Sequence, residues 1–213
     1  MNHEQAWQQA RDTLPLVAIL RGVKPDEVVA IGQVLFDAGW RLMEVPLNSP
    51  SPFDSIARLR QAFDGRMVIG AGTVLTAANV QQLAEAGGQL VVAPNMDPAV
   101  IRAALKEGMV PLPGVQTATE CFAALAAGAK ALKIFPAEQV PPATIKALRA
   151  VLPASTDVMP VGGVTPDNMA AYVQAGASGF GIGGALYRPG DTAAQVQQRA
   201  LAFAQAWRTA TRA

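Results

Sequence analysis

Short apolar runs recur along this chain at nearly even intervals, and this regularity limits the folds open to it. Eight runs rich in Val, Ile and Leu begin 20 to 26 residues apart. They span 17–22, 41–47, 67–74, 90–95, 110–115, 131–136, 157–164 and 179–187. The spacing accommodates a strand, a turn, a helix of about three turns and another turn. The runs are continuous rather than alternating in polarity, which is typical of parallel strands buried on both faces.

The stretches between the runs carry helix-ending signals. Five of them end in a glycine just before the next run, where a helix terminates in a left-handed residue. These are Gly39, Gly87, Gly108, Gly128 and Gly176. The pattern predicts one α/β domain over 1–213: a closed (β/α)8 TIM barrel over 17–209, preceded by an extra helix over 1–13. An open doubly wound sheet is the alternative, but eight regular units without a charged edge strand favour closure.

The 213 residues include one His and one Cys, and this scarcity narrows the available chemistry. It excludes an intrachain disulfide, a His-based metal cluster, a Ser-His-Asp triad and a Cys-His dyad. A net charge of +1 gives no electrostatic case for binding nucleic acid or an anionic membrane. No apolar signal core or membrane-spanning run is visible, so we expect a cytoplasmic protein. Its acid–base chemistry falls to Asp, Glu, Lys, Tyr or substrate groups.

Two charged residues interrupt otherwise apolar strands. Lys133 lies within Ala-Leu-Lys-Ile-Phe-Pro, and Glu44 lies within Leu-Met-Glu-Val-Pro-Leu. Burial lowers the pKa of a lysine, so that the neutral amine needed for Schiff-base chemistry becomes accessible. Glu44 is then the best candidate for a general acid–base. The alternative is a structural ion pair between the two residues, and the two interpretations are compatible.

Further candidate site residues lie at the carboxyl ends of predicted strands, because the active site of a barrel lies at that end of its strands. Arg21 ends the first strand and could hold a carboxylate or phosphate, with a surface arginine as the alternative. Thr73 follows Gly-Ala-Gly at the end of the third strand, where small residues allow close approach of a ligand. Pro94 closes the fourth strand.

Glycine clusters end the last two predicted strands. Val161 precedes Gly162 and Gly163, and Gly183 and Gly184 close the final strand. Barrels often bind phosphate here through backbone N–H groups, and tight packing is the alternative. The last cluster also matches G-x-G-x-x-G, but too few residues follow it for the βαβ unit of a dinucleotide site.

Together these motifs resemble those of the KDPG/KDPGal class I aldolases, bacterial enzymes that act on 2-keto-3-deoxy-6-phospho sugar acids. The resemblance covers residues 14–210. Its motifs are AILRG, EVPLNSP, GAGTVL, APN, PG, LKIFPA and VGGVTP, at 18–22, 44–50, 70–75, 93–95, 113–114, 132–137 and 161–166. The resemblance implies a homotrimer of barrels that uses no metal or other cofactor. Its partners would be a phosphorylated sugar acid, pyruvate and glyceraldehyde 3-phosphate.

The resemblance also implies a role for each candidate residue. Lys133 matches the Schiff-base lysine of the family, and Glu44 matches its general acid–base. Arg21 and Thr73 match residues that contact the carboxylate end of the substrate, and Pro94 matches a residue of the pocket wall. The phosphate cradle would comprise Gly162, Gly163, Gly183 and Gly184.

Three positions depart from the phosphogluconate-type pattern of this family. Asn48 replaces an Arg, Val161 replaces a Thr, and Gly184 stands where Ser is frequent. The first two match the phosphogalactonate branch, in which Arg21 would take over anion binding. There Val161 would remove a hydroxyl near C4, where the two substrates differ. Gly184 departs from both branches but retains its backbone N–H.

The resemblance therefore implies cleavage of 2-dehydro-3-deoxy-6-phospho-D-galactonate. The same reaction on the C4 epimer, 2-dehydro-3-deoxy-6-phosphogluconate, or dual specificity is the nearest alternative. A phosphate-binding barrel isomerase without a covalent lysine and a non-catalytic sugar-phosphate binding protein are more distant ones.

Overall fold

The computed structural model describes residues 3–212, in which helices and strands alternate. The α-helices are α1 (His3–Thr13), α2 (Val28–Asp37), α3 (Pro52–Ala62), α4 (Ala77–Glu85), α5 (Pro98–Lys106), α6 (Ala118–Ala126), α7 (Pro142–Arg149), α8 (Met169–Gln174) and α9 (Ala193–Ala210). The strands are β1 (Leu16–Ile19), β2 (Leu42–Pro46), β3 (Val68–Gly72), β4 (Leu90–Val92), β5 (Val110–Leu112), β6 (Gly114–Val115), β7 (Ala131–Ile134), β8 (Asp157–Pro160) and β9 (Phe180–Ile182). A 3-10 helix spans Ala137–Gln139. The predicted domain and N-terminal helix also include residues 1, 2 and 213, which lie outside the described residues.

The strands pair in parallel and form two sheets. Six strands have the order β5-β4-β3-β2-β1-β9, and three have the order β6-β7-β8. The predicted α/β class with parallel strands is therefore confirmed, whereas the single ladder of a closed (β/α)8 barrel is not. Each predicted apolar run overlaps a strand, but the fifth run divides into β5 and β6 at Pro113. A proline has no N–H to donate to a ladder, which explains the interruption.

Two features bring the edges of the sheets together. Only Pro113 separates β5 from β6 along the chain. At the opposite edge, an isolated parallel bridge pairs Val161, which follows β8, with Gly181 of β9. Residues of β5 also contact β7, and residues of β8 contact β9. Both edges of the larger sheet therefore adjoin the smaller sheet.

Strand side chains divide between two apolar clusters, because successive side chains point to opposite faces. The larger cluster lies between strands and helices. The smaller one comprises Trp7, Ala10, Val17, Leu42, Val68, Leu90, Val92, Leu112, Ala131 and Met159. Its strand members come from both sheets, so the sheets share one interior, against which Trp7 and Ala10 of α1 pack. By the same alternation, Glu44 faces this interior with Leu42, and Lys133 faces it with Ala131.

The predicted helix ends are confirmed. All five glycines have a left-handed φ, between +70° at Gly108 and +105° at Gly128. Within residues 3–212, no helix combines the length and apolarity needed to span a membrane.

Candidate active site

Lys133 in β7 and Glu44 in β2 meet in the shared interior, although they belong to different sheets. Only 5% of Lys133 and 1% of Glu44 is exposed. Burial lowers the pKa of Lys133 and raises the pKa of Glu44 to about 7, and the charge of each residue partly offsets the effect on the other. Two residues that are distant in sequence are thus electrostatically coupled. Both are closer to their neutral forms than they would be in water.

The two side chains are not locked together as a salt bridge. Among the described residues, no ion pair within 4.0 Å joins Lys133 to Glu44. Glu44 Oε2 is buried without a hydrogen-bond partner. Lys133 Nζ lies 4.5 Å from the centroid of the Phe135 ring. A purely structural pair would satisfy both groups directly, whereas this arrangement leaves an amine and a carboxylate oxygen free to engage a substrate.

Gly72, the last residue of β3, makes room for the Glu44 carboxylate. A Cβ added at Gly72 would overlap Glu44 Oε2. The small residue therefore accommodates a neighbouring side chain, in addition to any ligand that the sequence led us to expect. Thr73 follows with φ +56°, which is unusual for a β-branched residue. Strain of this kind is concentrated at functional sites.

Pro94 approaches Lys133 through a neighbouring strand. Gly114 of β6 pairs with Lys133 in the parallel register. A Cβ added at Gly114 would overlap the carbonyl oxygen of Pro94. The Pro-Gly motif at 113–114 therefore brings the loop after β4 against the strand that carries the lysine.

A cavity of ≈ 430 Å³ lies elsewhere in the structure, but the cavity over Lys133 is larger, at ≈ 530 Å³. Seven of the predicted site residues line the larger one: Arg21, Lys133, Val161, Gly162, Gly163, Gly183 and Gly184. Glu44, Thr73 and Pro94 are not among the residues that line it. The cavity connects the buried amine to both glycine clusters, and its size suits a small-molecule ligand.

Arg21 lines the cavity and contacts Asn48, one of the positions that depart from the phosphogluconate-type pattern. Its Nη1 donates a hydrogen bond of 2.6 Å to Asn48 Oδ1. The positive charge of Arg21 also helps to lower the pKa of Lys133 and opposes the rise at Glu44. Asn48 therefore orients a cation that faces both ionisable groups.

Phe135, Glu138 and Arg188 are among the other lining residues, none of which was predicted as a site residue from the sequence. Phe135 follows Lys133 by two residues, and strand alternation could have indicated that it shares the face of the lysine. Glu138, in the 3-10 helix, lies so close to a glycine cluster that a Cβ at Gly162 would be 2.5 Å from its Oε2. Arg188 lies in the loop after β9. No periodic signal marks side chains in such loops.

The fold and the site define an α/β enzyme equipped for lysine amine chemistry on a small ligand. The family model for KDPG and KHG aldolase matches residues 8–199, and the chain belongs to this family. The family resemblance inferred from the sequence motifs is thereby confirmed.

Named relatives place the chain more narrowly within the family. It is 50% identical over 193 residues to the probable 2-dehydro-3-deoxy-6-phosphogalactonate aldolase of Rhizobium meliloti (strain 1021), covering 91% of each chain. It is 49% identical over 204 residues to the 2-dehydro-3-deoxy-6-phosphogalactonate aldolase of Escherichia coli (strain K12), covering 96% of this chain and 98% of that one. The native KDPGal structure superposes with a TM-score of 0.93 at 49% identity, covering 94% of this chain and 97% of the other.

Proposed function

We propose that this chain cleaves 2-dehydro-3-deoxy-6-phospho-D-galactonate to pyruvate and D-glyceraldehyde 3-phosphate as a class I aldolase. The main support is the electrostatic coupling of buried Lys133 to Glu44, whose Oε2 has no hydrogen-bond partner among the described residues. Lys133 also lines a cavity that both glycine clusters border. The relatives at 49–50% identity carry the name of this activity.

The first stage is formation of an imine. The neutral amine of Lys133 attacks the C2 ketone of the substrate and forms a carbinolamine. Loss of water breaks the C2–O bond and gives a protonated imine, which acts as an electron sink. The lowered pKa of Lys133 favours this stage, because only the unprotonated amine is a nucleophile.

The second stage is cleavage of the carbon–carbon bond. The Glu44 carboxylate accepts the proton of the C4 hydroxyl, directly or through a water molecule. The C3–C4 bond then breaks, C4 becomes the aldehyde of glyceraldehyde 3-phosphate, and the electron pair moves into the imine as an enamine. Return of the proton to C3 and hydrolysis release pyruvate and regenerate the amine.

Trapping the imine tests the assignment of the lysine. Borohydride added with pyruvate should reduce the intermediate to a stable adduct on Lys133, which peptide mass spectrometry would locate. Lys133→Ala should show neither adduct nor turnover. An unmodified Lys133 in an active enzyme would contradict the Schiff-base mechanism and favour the isomerase alternative. Binding of the sugar phosphate without pyruvate release would favour a non-catalytic protein.

Specificity for the galactonate epimer is the finer part of the proposal. Asn48 beside Arg21, and Val161 in the lining of the cavity, support it. We propose that Arg21 and Thr73 bind the carboxylate end, Pro94 shapes the pocket wall, and the four glycines hold the phosphate. Comparison of kcat/KM for the two epimers tests the specificity, and a strong preference for the gluconate would contradict it.

We also propose that the two sheets close into one eight-stranded barrel. The continuity of β5 and β6 across Pro113, the Val161–Gly181 bridge and the shared apolar interior support closure. A crystal structure should show one continuous parallel ladder. A gap between the strands on either side of the bridge, wide enough to admit water, would contradict it.

Finally, we propose that the chain forms a homotrimer and is cytoplasmic, as the sequence led us to expect. Large apolar side chains that remain exposed on the described part of the chain, such as Phe122 at 45%, support assembly. Light scattering should give three times the chain mass of 22.2 kDa. A single-chain mass at micromolar concentration would contradict the trimer, and cell fractionation tests the location.

A further inference from the structure

Arg188 lies at the glycine end of the cavity, and we propose that its guanidinium binds the phosphate group of the substrate. The inference rests on the proposed function, which requires a phosphorylated substrate. It assigns a phosphate-binding side chain to the loop after β9, for which the sequence predicts phosphate binding only through backbone N–H groups.

The guanidinium of Arg188 is available to a ligand. Its Nε donates a hydrogen bond of 2.9 Å to the carbonyl oxygen of Gly184. Within the described residues, no protein atom accepts a hydrogen bond from either of its terminal nitrogens. A Cβ added at Gly184 would meet no atom within 4 Å, so there is open space beside it. An arginine held at Nε can still present a fork of N–H donors, which suits the oxygens of a phosphate.

The loop that carries Arg188 is anchored on both sides. The backbone N–H of Arg188 donates to Asp191 Oδ2 at 2.7 Å, and that carboxylate forms an ion pair of 2.5 Å with Arg199 of α9. Pro189 packs on the loop after β1, where a Cβ at Gly22 would be 2.6 Å from Pro189 Cγ. A cation on an anchored loop loses little freedom on binding.

The charges around the cavity indicate that a phosphate at the glycine end would need a cation to bind it. Glu138 lies against Gly162 and Gly163, so its negative charge would oppose a phosphate there. Lys133 is buried where the imine would form, and Arg21 is hydrogen-bonded to Asn48. Among the described cations that line the cavity, Arg188 is the one that donates a hydrogen bond to a glycine of the cradle.

Two aldehydes that differ only in phosphate provide the test. Pyruvate is condensed with D-glyceraldehyde 3-phosphate or with D-glyceraldehyde, and kcat/KM is measured for each. Arg188→Gln should reduce the value for the phosphorylated aldehyde by about 10- to 100-fold. It should reduce the value for D-glyceraldehyde by a clearly smaller factor, because that aldehyde has no phosphate group. Arg102→Gln is the matched control, because Arg102 is an exposed arginine of α5 outside the cavity lining.

Each other outcome has a defined meaning. An equal loss with both aldehydes, or no loss with either, would overturn the assignment to Arg188. Inorganic phosphate, titrated calorimetrically, gives a readout that does not depend on turnover: Arg188→Gln should bind it more weakly than the wild type. Wild-type protein that binds phosphate but condenses neither aldehyde would contradict the proposed function while leaving the role of Arg188 intact.

Discussion

At the scale of the residue, the site depends on what burial does to two ionisable groups. Water would keep Lys133 protonated and Glu44 ionised at neutral pH. Burial opposes both charges, so the amine becomes more nucleophilic and the carboxyl group can exchange a proton near pH 7. The opposite charge of the other residue reduces each pKa shift without cancelling it. Glu44 can therefore both accept and return a proton near neutral pH, as a general acid–base must.

The pH dependence of the rate should report the ionisation of Glu44. Because Glu44 must be unprotonated to accept the C4 hydroxyl proton, kcat/KM should rise with pH, with a midpoint at about 7. Deprotonation of Lys133 also makes kcat/KM rise with pH, since only the unprotonated amine reacts, and its lowered pKa moves this rise to lower pH than for an exposed lysine. Glu44→Gln should remove the part of this rise that has its midpoint at about 7, leaving only the part due to Lys133, and should reduce the rate by about two to four orders of magnitude. Survival of that part of the rise and of the rate in the variant would show that Glu44 is only a charge partner.

A second residue-scale prediction concerns Glu138, which lies against the glycines proposed to hold the phosphate. Glu138→Gln should lower KM for the phosphorylated substrate by about two- to fivefold, because it removes a like charge that water partly screens. The value of kcat should not change. Glu107→Gln, at an exposed position after α5, is the matched control. A higher KM in Glu138→Gln would mean that the carboxylate helps to bind substrate.

At the scale of the element, the end of β3 separates a structural glycine from a functional one. Gly70 and Gly72 stand two residues apart in one strand and therefore share a face. A Cβ at Gly70 would overlap the backbone carbonyl of Leu90 in β4, whereas a Cβ at Gly72 would overlap the Glu44 carboxylate. A backbone atom in a sheet cannot yield, but the end of a side chain can.

Alanine substitutions at these two glycines should therefore have different effects. Gly70→Ala should lower the free energy of unfolding by roughly 1–3 kcal/mol, because it overpacks two strands. Gly72→Ala should retain a near-native melting temperature but lose at least about tenfold in kcat/KM, because it displaces the general base. Urea denaturation and steady-state kinetics on both variants measure the two effects. Equal loss of stability and rate in both variants would contradict the distinction.

At the scale of the whole molecule, one interior contains both the apolar cluster and the ionisable pair. Trp7 of α1 packs against the cluster, and the Lys133 cavity opens among the loops that follow the strands. Glu44 and Lys133 are buried because side chains from strands of both sheets enclose the space around them. The stability of the fold and the reactivity of the site are therefore linked through the same burial.

This link should appear in the pH dependence of stability. The pKa of Glu44 rises from 4.5 to about 7 on folding, so the folded state binds more protons than the unfolded state between those values. The contribution of Glu44 to the free energy of unfolding therefore falls as pH rises from 4.5 to 7, by at most about 3 kcal/mol. Glu44→Gln should gain stability relative to wild type across this window and keep the gain above it. Urea denaturation of both proteins at pH 5, 6, 7 and 8 measures the difference in their free energies of unfolding. A difference that does not change with pH would contradict the raised pKa of Glu44.

Local patterns in the sequence determined the eight apolar runs, the five helix ends and the two charged residues within strands, because each depends only on near neighbours. They did not determine the division at Pro113 between two sheets, since strand pairing depends on residues far apart in the chain. Tertiary structure also decided that Glu44 meets Lys133 without a salt bridge and that Gly72 makes room for it. Glu138 reaches the cavity from the short 3-10 helix in the loop after β7, and Arg188 reaches it from the loop after β9; neither residue is marked by a periodic sequence pattern. Only the folded arrangement of the strands brings these loops together.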